Sequence, residues 1–217
     1  MPKTTHTITT LLFDWDGTLA DSAQLGLAAF QKTFAELGVA FAPDIYEATY
    51  SPNWYLTYEA LGLPKDKWQL ADDLWRRHYG EEAAQLVNGA AETLLGLHRK
   101  GYRLGVVTSG HENRVGREID QSALAEVFEV VICNEHTINR KPHPEGLEIA
   151  LRRLNNRPEE AAYIGDAPED IEMGKRASVL TVGVRSSYPS SARLIDSEPN
   201  IYLESIAGLS NHFPGRS

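Results

Sequence analysis

The stretch that decides the fold of this chain is Leu11-Leu12-Phe13-Asp14-Trp15-Asp16-Gly17-Thr18. The apolar run over residues 8–13 predicts a β-strand, because consecutive apolar residues that lead into a turn signal are typical of one. Two carboxylates, Asp14 and Asp16, follow this strand directly, and Gly17 comes next. Asp and Gly also favour turns, so the stretch on its own is consistent with an ordinary strand-to-loop turn.

Outward from this stretch, predicted strands and helices alternate along the chain. Further strands are predicted at residues 102–107, 127–133, 163–164 and 180–184, with one more at 201–203 in a turn-rich tail. Helices are predicted at residues 90–100, 112–119, 145–154 and 169–176. Such alternation predicts a mostly parallel sheet with helices on both faces. The fold class is therefore α/β, a doubly wound Rossmann-like sheet that binds ligands at the carboxyl ends of its strands.

One long segment, residues 21–87, contains no convincing strand. Apolar residues recur in it at helical spacing, at Leu27, Phe30, Phe34 and Leu37. Gly38, Gly62 and Gly80 are the predicted stops of three helices, and Ser51-Pro52 is the predicted start of the second. We therefore predict a catalytic core of residues 1–20 and 88–217, with an all-helical cap domain of residues 21–87 inserted into it.

Three further segments at the ends of predicted strands carry polar side chains. They are Thr108-Ser109-Gly110, Arg140-Lys141-Pro142-His143-Pro144 and Gly165-Asp166-Ala167-Pro168-Glu169-Asp170. Each is weak evidence alone, since solvated turns and helix N-caps have the same composition. A parallel sheet gathers these ends at one edge. The carboxylates expected to converge there are Asp14, Asp16, Asp166 and Asp170.

Such a carboxylate cluster indicates a metal site. Carboxylates in one cleft repel each other unless positive charge lies among them, and Lys141 supplies only one such charge. Oxygen ligands without cysteine suit a hard divalent ion, Mg²⁺ above all. Thr108, the amides beside it and Lys141 are the expected donors to phosphoryl oxygens. A carboxylate nucleophile can form an aspartyl-phosphate and so divide a displacement into two steps.

Together the four segments resemble the signature of the haloacid dehalogenase superfamily. The order is Asp-x-Asp-Gly-Thr from Asp14, then Thr108, then Lys-Pro at Lys141, then Gly-Asp-x-x-x-Asp from Gly165. All four in order are far more specific than any one alone. The resemblance covers nearly the whole chain. The helical insert is similar to the first cap class of that family, as in phosphoglycolate phosphatase and β-phosphoglucomutase.

The resemblance implies roles for the acidic residues. Asp14 would be the nucleophile and Asp16 the general acid and base. Mg²⁺ would be held by Asp14, the main-chain carbonyl of Asp16 and Asp166. Asp170 would act through a bound water or orient Lys141.

It also implies where the substrate lies. Thr108 and the Ser109 amide would bind the phosphoryl group, and Lys141 would offset its charge. Residues between two cap helices would select the leaving group, and the candidates are Tyr50, Asn53, Trp54 and Tyr55. Trp54 and Tyr55 have packing of the cap as an alternative role. His111 is more often a surface residue, and its role stays open.

The acid at position 16 favours one branch of the family. Family dehalogenases lack Asp two places after the nucleophile, so Asp16 favours hydrolysis or transfer of a phosphoryl group. The resemblance therefore implies a magnesium-dependent phosphatase for a small phosphate monoester, similar to phosphoglycolate phosphatase. The alternative is a phosphomutase of the β-phosphoglucomutase type, which would need basic cap residues to hold a second phosphate.

Two alternatives come from other classes of protein. A phospho-Asp signalling domain shares the acceptor Asp, the acidic Mg²⁺ cluster, the Thr and the Lys, but it is about half this length and lacks the helical insert. A catalytically silent binding protein would have no reason to keep Asp14, Asp16, Lys141 and Asp166 together.

Composition limits the possible partners. The 217 residues carry a formal net charge of −9, which argues against general nucleic-acid binding because it repels phosphate backbones. The single cysteine, Cys133, excludes an internal disulfide and is expected to be a small buried residue.

No apolar run approaches the ~20 residues of a membrane span, and residues 1–6 lack the apolar stretch of a signal peptide. We expect a cytoplasmic protein acting on a small phosphorylated metabolite, with no membrane partner and an oligomeric state that the sequence leaves open.

Overall fold

The structure, a computed structural model, describes residues 7–80 and 82–214. Its strands are β1 (Thr10–Phe13), β2 (Arg103–Val107), β3 (Phe128–Ile132), β4 (Ala161–Gly165), β5 (Leu180–Val184) and β6 (Ile201–Leu203). Its α-helices are α1 (Ala23–Glu36), α2 (Pro43–Thr49), α3 (Trp54–Ala60), α4 (Trp68–Tyr79), α5 (Ala90–Arg99), α6 (Glu112–Asp120), α7 (Glu145–Leu154) and α8 (Pro168–Arg176). The predicted α/β fold class is confirmed.

The six strands form one sheet in the order β3-β2-β1-β4-β5-β6, with every pair parallel. The order reverses between β1 and β4, which lie side by side at the centre. In doubly wound sheets the ligand crevice opens at this switch point, beyond the carboxyl ends of the strands. The deciding stretch therefore leads directly into the expected site.

Residues of β1 contribute to both faces of the sheet. Leu11 and Phe13 lie in the apolar cluster that includes residues of α5 and α6. Leu12 lies in the opposite cluster, with residues of α7 and α8. Successive side chains of a strand point to opposite faces, so a central strand in this fold is apolar throughout. This is why three consecutive apolar residues predicted β1 correctly.

The predicted strand at 163–164 is longer than expected and begins at Ala161. Ala161 and Ala162 are fully buried in opposite clusters. Alanine has no strong β preference, so the sequence pattern did not mark these two residues as a strand. Burial against helices on both faces places them in the sheet.

Helices α1 to α4 pack around a separate apolar cluster rich in aromatic rings. Phe30 is its hub, with ring centroids 5.4 Å from Tyr46, 5.9 Å from Tyr58 and 6.1 Å from Trp75. Edge-to-face and tilted pairs at this spacing are favourable beyond the area they bury. The predicted helices that end at Gly38, Gly62 and Gly80 are present.

Two details of the predicted cap are wrong. The sequence pattern missed α2, a helix of seven residues with Pro43 in its first turn. The second predicted helix begins at Trp54 rather than at Pro52, because Ser51 forms a turn instead of a cap. The Oγ of Ser51 accepts a hydrogen bond from the Asn53 amide at 3.1 Å, while its own amide donates to Thr57 Oγ1 at 3.2 Å.

The chain leaves the sheet for these helices and returns at adjacent points. Ala20 forms an isolated bridge with Leu86, and the Val87 amide donates to the Leu19 carbonyl at 2.8 Å. The two crossings therefore lie side by side near the site. The division into residues 1–20 and 88–217 against 21–87 stays a prediction, and it includes residues outside the described ranges.

Among the described residues, no helix combines the length and apolar character needed to cross a membrane. The predicted absence of a signal peptide concerns residues 1–6, which lie outside the described part of the chain.

Candidate active site

Three of the four predicted carboxylates meet at the switch point. Asp14 follows β1, Asp166 follows β4, and Asp170 lies in the first turn of α8. Each has a carboxylate oxygen within 4.8 Å of one from the other two, and all three side chains are buried. The Asp14 amide donates to the Ile164 carbonyl at 2.8 Å, which continues the β1–β4 pairing into the site.

Lys141 lies between two of these carboxylates. Its Nζ is 2.8 Å from Asp14 Oδ1 and 2.8 Å from Asp170 Oδ1, and the residue is only 5% exposed. The other oxygen of Asp170 accepts hydrogen bonds from the Asp166 and Ala167 amides at 3.1 and 3.0 Å. Because both of its oxygens are engaged in this way, Asp170 orients Lys141 and fixes the turn between β4 and α8.

Negative charge exceeds positive charge at this point. The pKa of Asp14 is raised to about 7, because burial and the charge of Asp170 raise it by more than the contact with Lys141 lowers it. Burial also raises the pKa of Asp166 well above its ordinary value, and the charges of Asp170 and Asp14 add to this. Buried carboxylates that lie this close together suit a hard divalent cation, because its charge would offset their mutual repulsion. The residues present therefore fit a magnesium ion.

Two hydroxyl groups also donate hydrogen bonds to the carboxylate of Asp166. Ser186 donates its hydroxyl to Asp166 Oδ2 at 2.6 Å, and Thr18 donates to Oδ1 at 3.3 Å. Gly17 passes close by with a φ of +81°. A Cβ at position 17 would overlap Asp166 Oδ2 and the ring of Tyr188, so only glycine fits between them.

Asp16 lines the same cavity as Asp14 and Asp166, but its side chain turns away from the cluster that those two form with Asp170. Its Oδ1 accepts hydrogen bonds from Ser22 Oγ at 2.6 Å and Arg114 Nη1 at 2.9 Å, and its Oδ2 lies 2.5 Å from Arg114 Nη2. Burial would raise the pKa of Asp16, but the Arg114 guanidinium outweighs this and holds the pKa below its ordinary value. Two parallel N–H···O bonds to a carboxylate are among the strongest side-chain contacts, and they fix its direction.

Arg114 is a site residue that the sequence prediction missed. Its Nη1 also donates to Glu118 Oε2 at 3.0 Å, and Glu118 further accepts from Trp15 Nε1 at 2.7 Å and Tyr79 OH at 2.9 Å. One signal was available. Arg114 and Glu118 lie four residues apart on α6, in the same stripe as the buried Val115, where an unpaired charge would not be expected.

Thr108 and Ser109 follow β2, at the same edge of the sheet. The Thr108 amide donates to the Ile132 carbonyl at 2.9 Å, and its hydroxyl accepts from the Gly110 amide at 3.0 Å. Both residues line one cavity together with Asp14 and Asp166. The predicted phosphate donors and the carboxylates therefore face the same space.

This cavity, of about 80 Å³, lies between the carboxyl edge of the sheet and the cap helices. From the cap side it is lined mainly by aromatic side chains. These are Phe30, Tyr50, Trp54, Tyr58 and Trp75, with Ser51, Pro52 and Asp72 among them. From the core side His111 also reaches it, with Nδ1 2.8 Å from Glu135 Oε1.

The four predicted specificity residues divide into two pairs. Tyr50 and Trp54 line the cavity, whereas Asn53 and Tyr55 are not among its lining residues. Asn53 precedes α3 as its N-cap residue, and Tyr55 donates its hydroxyl to Asp72 Oδ2 at 3.1 Å. Their positions do not support a role in substrate choice. Phe30, which helical spacing predicted only as a packing residue, also faces the cavity.

Arg140 joins this part of the cap to the core. Its guanidinium lies 4.0 Å from the Trp54 ring centroid and 4.1 Å from that of Tyr55, and it donates to Asn134 Oδ1 at 2.8 Å. Arg193 donates to the Tyr50 carbonyl at 2.7 Å. These contacts hold the cap down over the cavity.

A crevice at the switch point of a doubly wound sheet, rich in carboxylates and closed by inserted helices, is the arrangement of a capped α/β hydrolase. Comparison with known proteins gives the family. Residues 11–184 match the family of haloacid dehalogenase-like hydrolases. The chain belongs to that family.

Individual relatives agree with this assignment. The pyrophosphatase PpaX of Listeria monocytogenes serotype 4b is 32% identical over 208 residues, which cover 94% of this chain and 96% of that protein. CbbY from Rhodobacter sphaeroides, solved in complex with phosphate, is 25% identical with a TM-score of 0.76 and covers 94% of this chain and 96% of its own. A predicted phosphoglycolate phosphatase from Haemophilus somnus, 18% identical with a TM-score of 0.84, shares the fold over 95% of this chain and 98% of its own. The chain is a phosphatase of the haloacid dehalogenase-like family.

Proposed function

We propose that this protein is a magnesium-dependent phosphatase that hydrolyses a small phosphate monoester through an aspartyl-phosphate on Asp14. One observation carries the proposal: Asp14 lies beside Lys141 and Asp166 at the floor of the cavity that Thr108 and Ser109 also line. A nucleophile and phosphate donors therefore face one space, and a cation contacts the nucleophile.

In the first step, an oxygen of Asp14 attacks phosphorus and the bond from phosphorus to the ester oxygen breaks. The ester oxygen leaves with the bonding pair and takes a proton from Asp16. In the second step, Asp16 removes a proton from a water molecule, which attacks phosphorus. The bond from phosphorus to Asp14 then breaks, and phosphate leaves.

The contact of Asp16 with Arg114 favours the protonation state that Asp16 needs in the second step, but not the one it needs in the first. It keeps Asp16 ionised, which is the form that activates water in the second step. To donate a proton in the first step, Asp16 first has to take one up from solvent, and the guanidinium opposes this because it stabilises the ionised carboxylate. Lys141, paired with Asp14 at 2.8 Å, lies where it would balance negative charge on the nucleophile and on the phosphoryl oxygens.

Magnesium would be held by the carboxylates of Asp14 and Asp166 and by the main-chain carbonyl of Asp16. Asp170 would contribute through a water. When bound, the ion supplies charge that lets an anionic nucleophile approach an anionic phosphate.

The alternatives are less well supported. A phosphomutase would need basic cap residues for a second phosphate, and none lines the cavity among the described residues. A phospho-Asp signalling protein has no use for a cap over its acceptor. A silent binding protein would not need Asp14, Lys141 and Asp170 in contact. A cytoplasmic location, without nucleic-acid or membrane partners, stays part of the proposal.

The test is release of phosphate from p-nitrophenyl phosphate. Mg²⁺ should support turnover, and EDTA should abolish it. Asp14→Asn should lower kcat by more than ~1,000-fold, because an amide cannot attack phosphorus. The exposed Asp196→Asn is the matched control and should keep full activity. Turnover by Asp14→Asn at the wild-type rate would refute the assignment of the nucleophile, and turnover unaffected by EDTA would refute the metal requirement.

A further inference from the structure

The charges that face the cavity are strongly unbalanced. Four carboxylates line it, from Asp14, Asp16, Asp72 and Asp166, and Arg114 is the one guanidinium among its described lining residues. A bound divalent ion would offset the carboxylates next to the phosphoryl group. It would not offset Asp72, which lies on the cap side.

Arg114 is already paired with carboxylates of the protein itself. It contacts Asp16 through both Nη atoms and Glu118 through one of them. Its side chain is 9% exposed, and that of Glu118 is fully buried. A substrate anion would therefore compete with two carboxylates for the charge of this guanidinium, and weakening either pair is costly.

The basic side chains of the cap do not reach the cavity within the described ranges. They pair with carboxylates or carbonyls elsewhere, or lie exposed, and they are Lys32, Lys65, Lys67, Arg76, Arg77 and His78. His111 does line the cavity, but its Nδ1 lies 2.8 Å from Glu135 Oε1.

The wall that faces the leaving group is aromatic, and Asp72 is set into it. Asp72 Oδ1 accepts from Trp54 Nε1 at 2.7 Å and Tyr58 OH at 3.2 Å. These contacts hold the carboxylate and two aromatic rings as one unit, and Phe30 packs on Tyr58 with centroids 5.9 Å apart. Aromatic faces beside a carboxylate favour apolar or cationic groups and disfavour anions.

We propose that the cavity accepts a phosphate monoester whose leaving group carries no negative charge and presents an apolar or cationic surface to this aromatic wall. The proposal rests on the proposed function, since it names the substrate class of the same site. It separates this chain from enzymes for pyrophosphate or phosphoglycolate, because the leaving groups of both carry an anion close to the bond that breaks.

The test uses three phosphate esters, each a 2-substituted ethyl phosphate, of which the cationic and the neutral one have the same shape. The substituent is trimethylammonium in choline phosphate, tert-butyl in 3,3-dimethylbutyl phosphate, and carboxylate in 3-phosphooxypropanoate. Inorganic pyrophosphate and 2-phosphoglycolate complete the panel. For the wild type with Mg²⁺, kcat/KM should be at least ~tenfold higher for the cationic and neutral esters than for every anionic one. Equal or faster turnover of an anionic compound would overturn the proposal.

Measurements of binding affinity test the selectivity for the leaving group independently of whether the protein hydrolyses phosphate esters. Asp14→Asn should hold the intact esters, so their Kd values can be measured by calorimetry with Mg²⁺ and without turnover. The same order of affinities is expected even if p-nitrophenyl phosphate is not hydrolysed by the wild type. Affinity for 3-phosphooxypropanoate equal to that for 3,3-dimethylbutyl phosphate would refute the selectivity whatever the activity.

A gain of function gives the converse test. Pro52 lines the cavity from the loop before α3, outside the catalytic groups. Pro52→Arg should raise kcat/KM for 3-phosphooxypropanoate by ~tenfold relative to that for 3,3-dimethylbutyl phosphate. Pro52→Gln removes the same ring without adding charge and should leave that ratio unchanged. If both variants move the ratio equally, charge is not what selects the leaving group.

Discussion

At the scale of single residues, Arg114 links the chemistry of the site to its stability. It pairs with Asp16 in the cavity and with Glu118 behind it, and Glu118 in turn holds Trp15 and Tyr79. The guanidinium suits this position because it donates in several fixed directions at once. Removing it would leave two carboxylates without their cation.

Replacement of Arg114 should therefore destabilise the fold strongly. Arg114→Met should lower the free energy of unfolding by about 3–5 kcal/mol, because the fully buried Glu118 and the partly buried Asp16 both lose their cation. Arg114→Lys keeps one charge but loses the bidentate contact, so its loss should be smaller. Urea denaturation measures both.

The control is the exposed Arg153→Met on α7, which should lie within about 0.5 kcal/mol of the wild type. If Arg114→Met were no less stable than Arg153→Met, Arg114 would not be needed to hold Asp16 and Glu118.

At the scale of elements, short turns after the strands set the geometry of the site. The turn after β1 brings Gly17 against Asp166 and Tyr188, and the turn after β4 is fixed by Asp170. The loop that follows β3 carries Lys141 to the carboxylates and places Arg140 on the rings of α3. The strands fix where each turn begins, and the turns bring the side chains of the site into contact.

Gly17→Ala should damage the site more than an ordinary glycine substitution does. Position 17 combines a φ of +81° with overlap of any Cβ on Asp166 and Tyr188. Activity toward p-nitrophenyl phosphate should fall at least ~tenfold, because Asp166 has to move. Stability should fall by more than the ~1 kcal/mol of a strained backbone alone.

Gly62→Ala is the matched control for this comparison. Gly62 also has a positive φ, +73°, but a Cβ there would meet no atom within 4 Å. It therefore reports the backbone strain without the collision. Equal losses of activity in both variants would show that overlap with Asp166 is not the cause.

At the scale of the whole molecule, burial of like charge ties stability to metal binding. Asp14, Asp166 and Asp170 have oxygens within 4.8 Å of one another, with Lys141 as their cation in the described part of the chain. A ligand that binds only the folded state stabilises it in proportion to the logarithm of its concentration. Magnesium should therefore act on the entire fold.

We expect Mg²⁺ at ~100 times its Kd to raise the Tm by about 5–10 °C relative to EDTA, from a stabilisation of about 2.7 kcal/mol. Asp166→Asn should lose this shift. In EDTA its Tm should match or exceed that of the wild type, because a buried like charge is removed. Scanning calorimetry measures both quantities, with Asp196→Asn as the control. A full Mg²⁺ shift in Asp166→Asn would contradict the metal site.

Much of this molecule follows from local sequence patterns. The apolar run before Asp14, the Gly and Asp after residues 163–164, and the single Cys133 in an apolar run each predicted what the structure contains; Cys133 is 1% exposed, as expected. Parallel pairing then placed Asp14 and Asp166 together without any knowledge of side-chain contacts. The short helix α2 and the start of α3 were missed because turn hydrogen bonds, such as those of Ser51, override a capping pattern.

The sequence by itself determined the fold class and the residues that follow its strands, because strand periodicity and the residues at a strand's end are local properties. Only the tertiary structure decided that Asp16 turns to Arg114, 98 residues away along the chain. It also decided that the site is covered by an aromatic wall with no basic side chain from the cap among its described residues. Those contacts depend on the direction of individual side chains across elements distant in sequence. No spacing along a single chain encodes that direction.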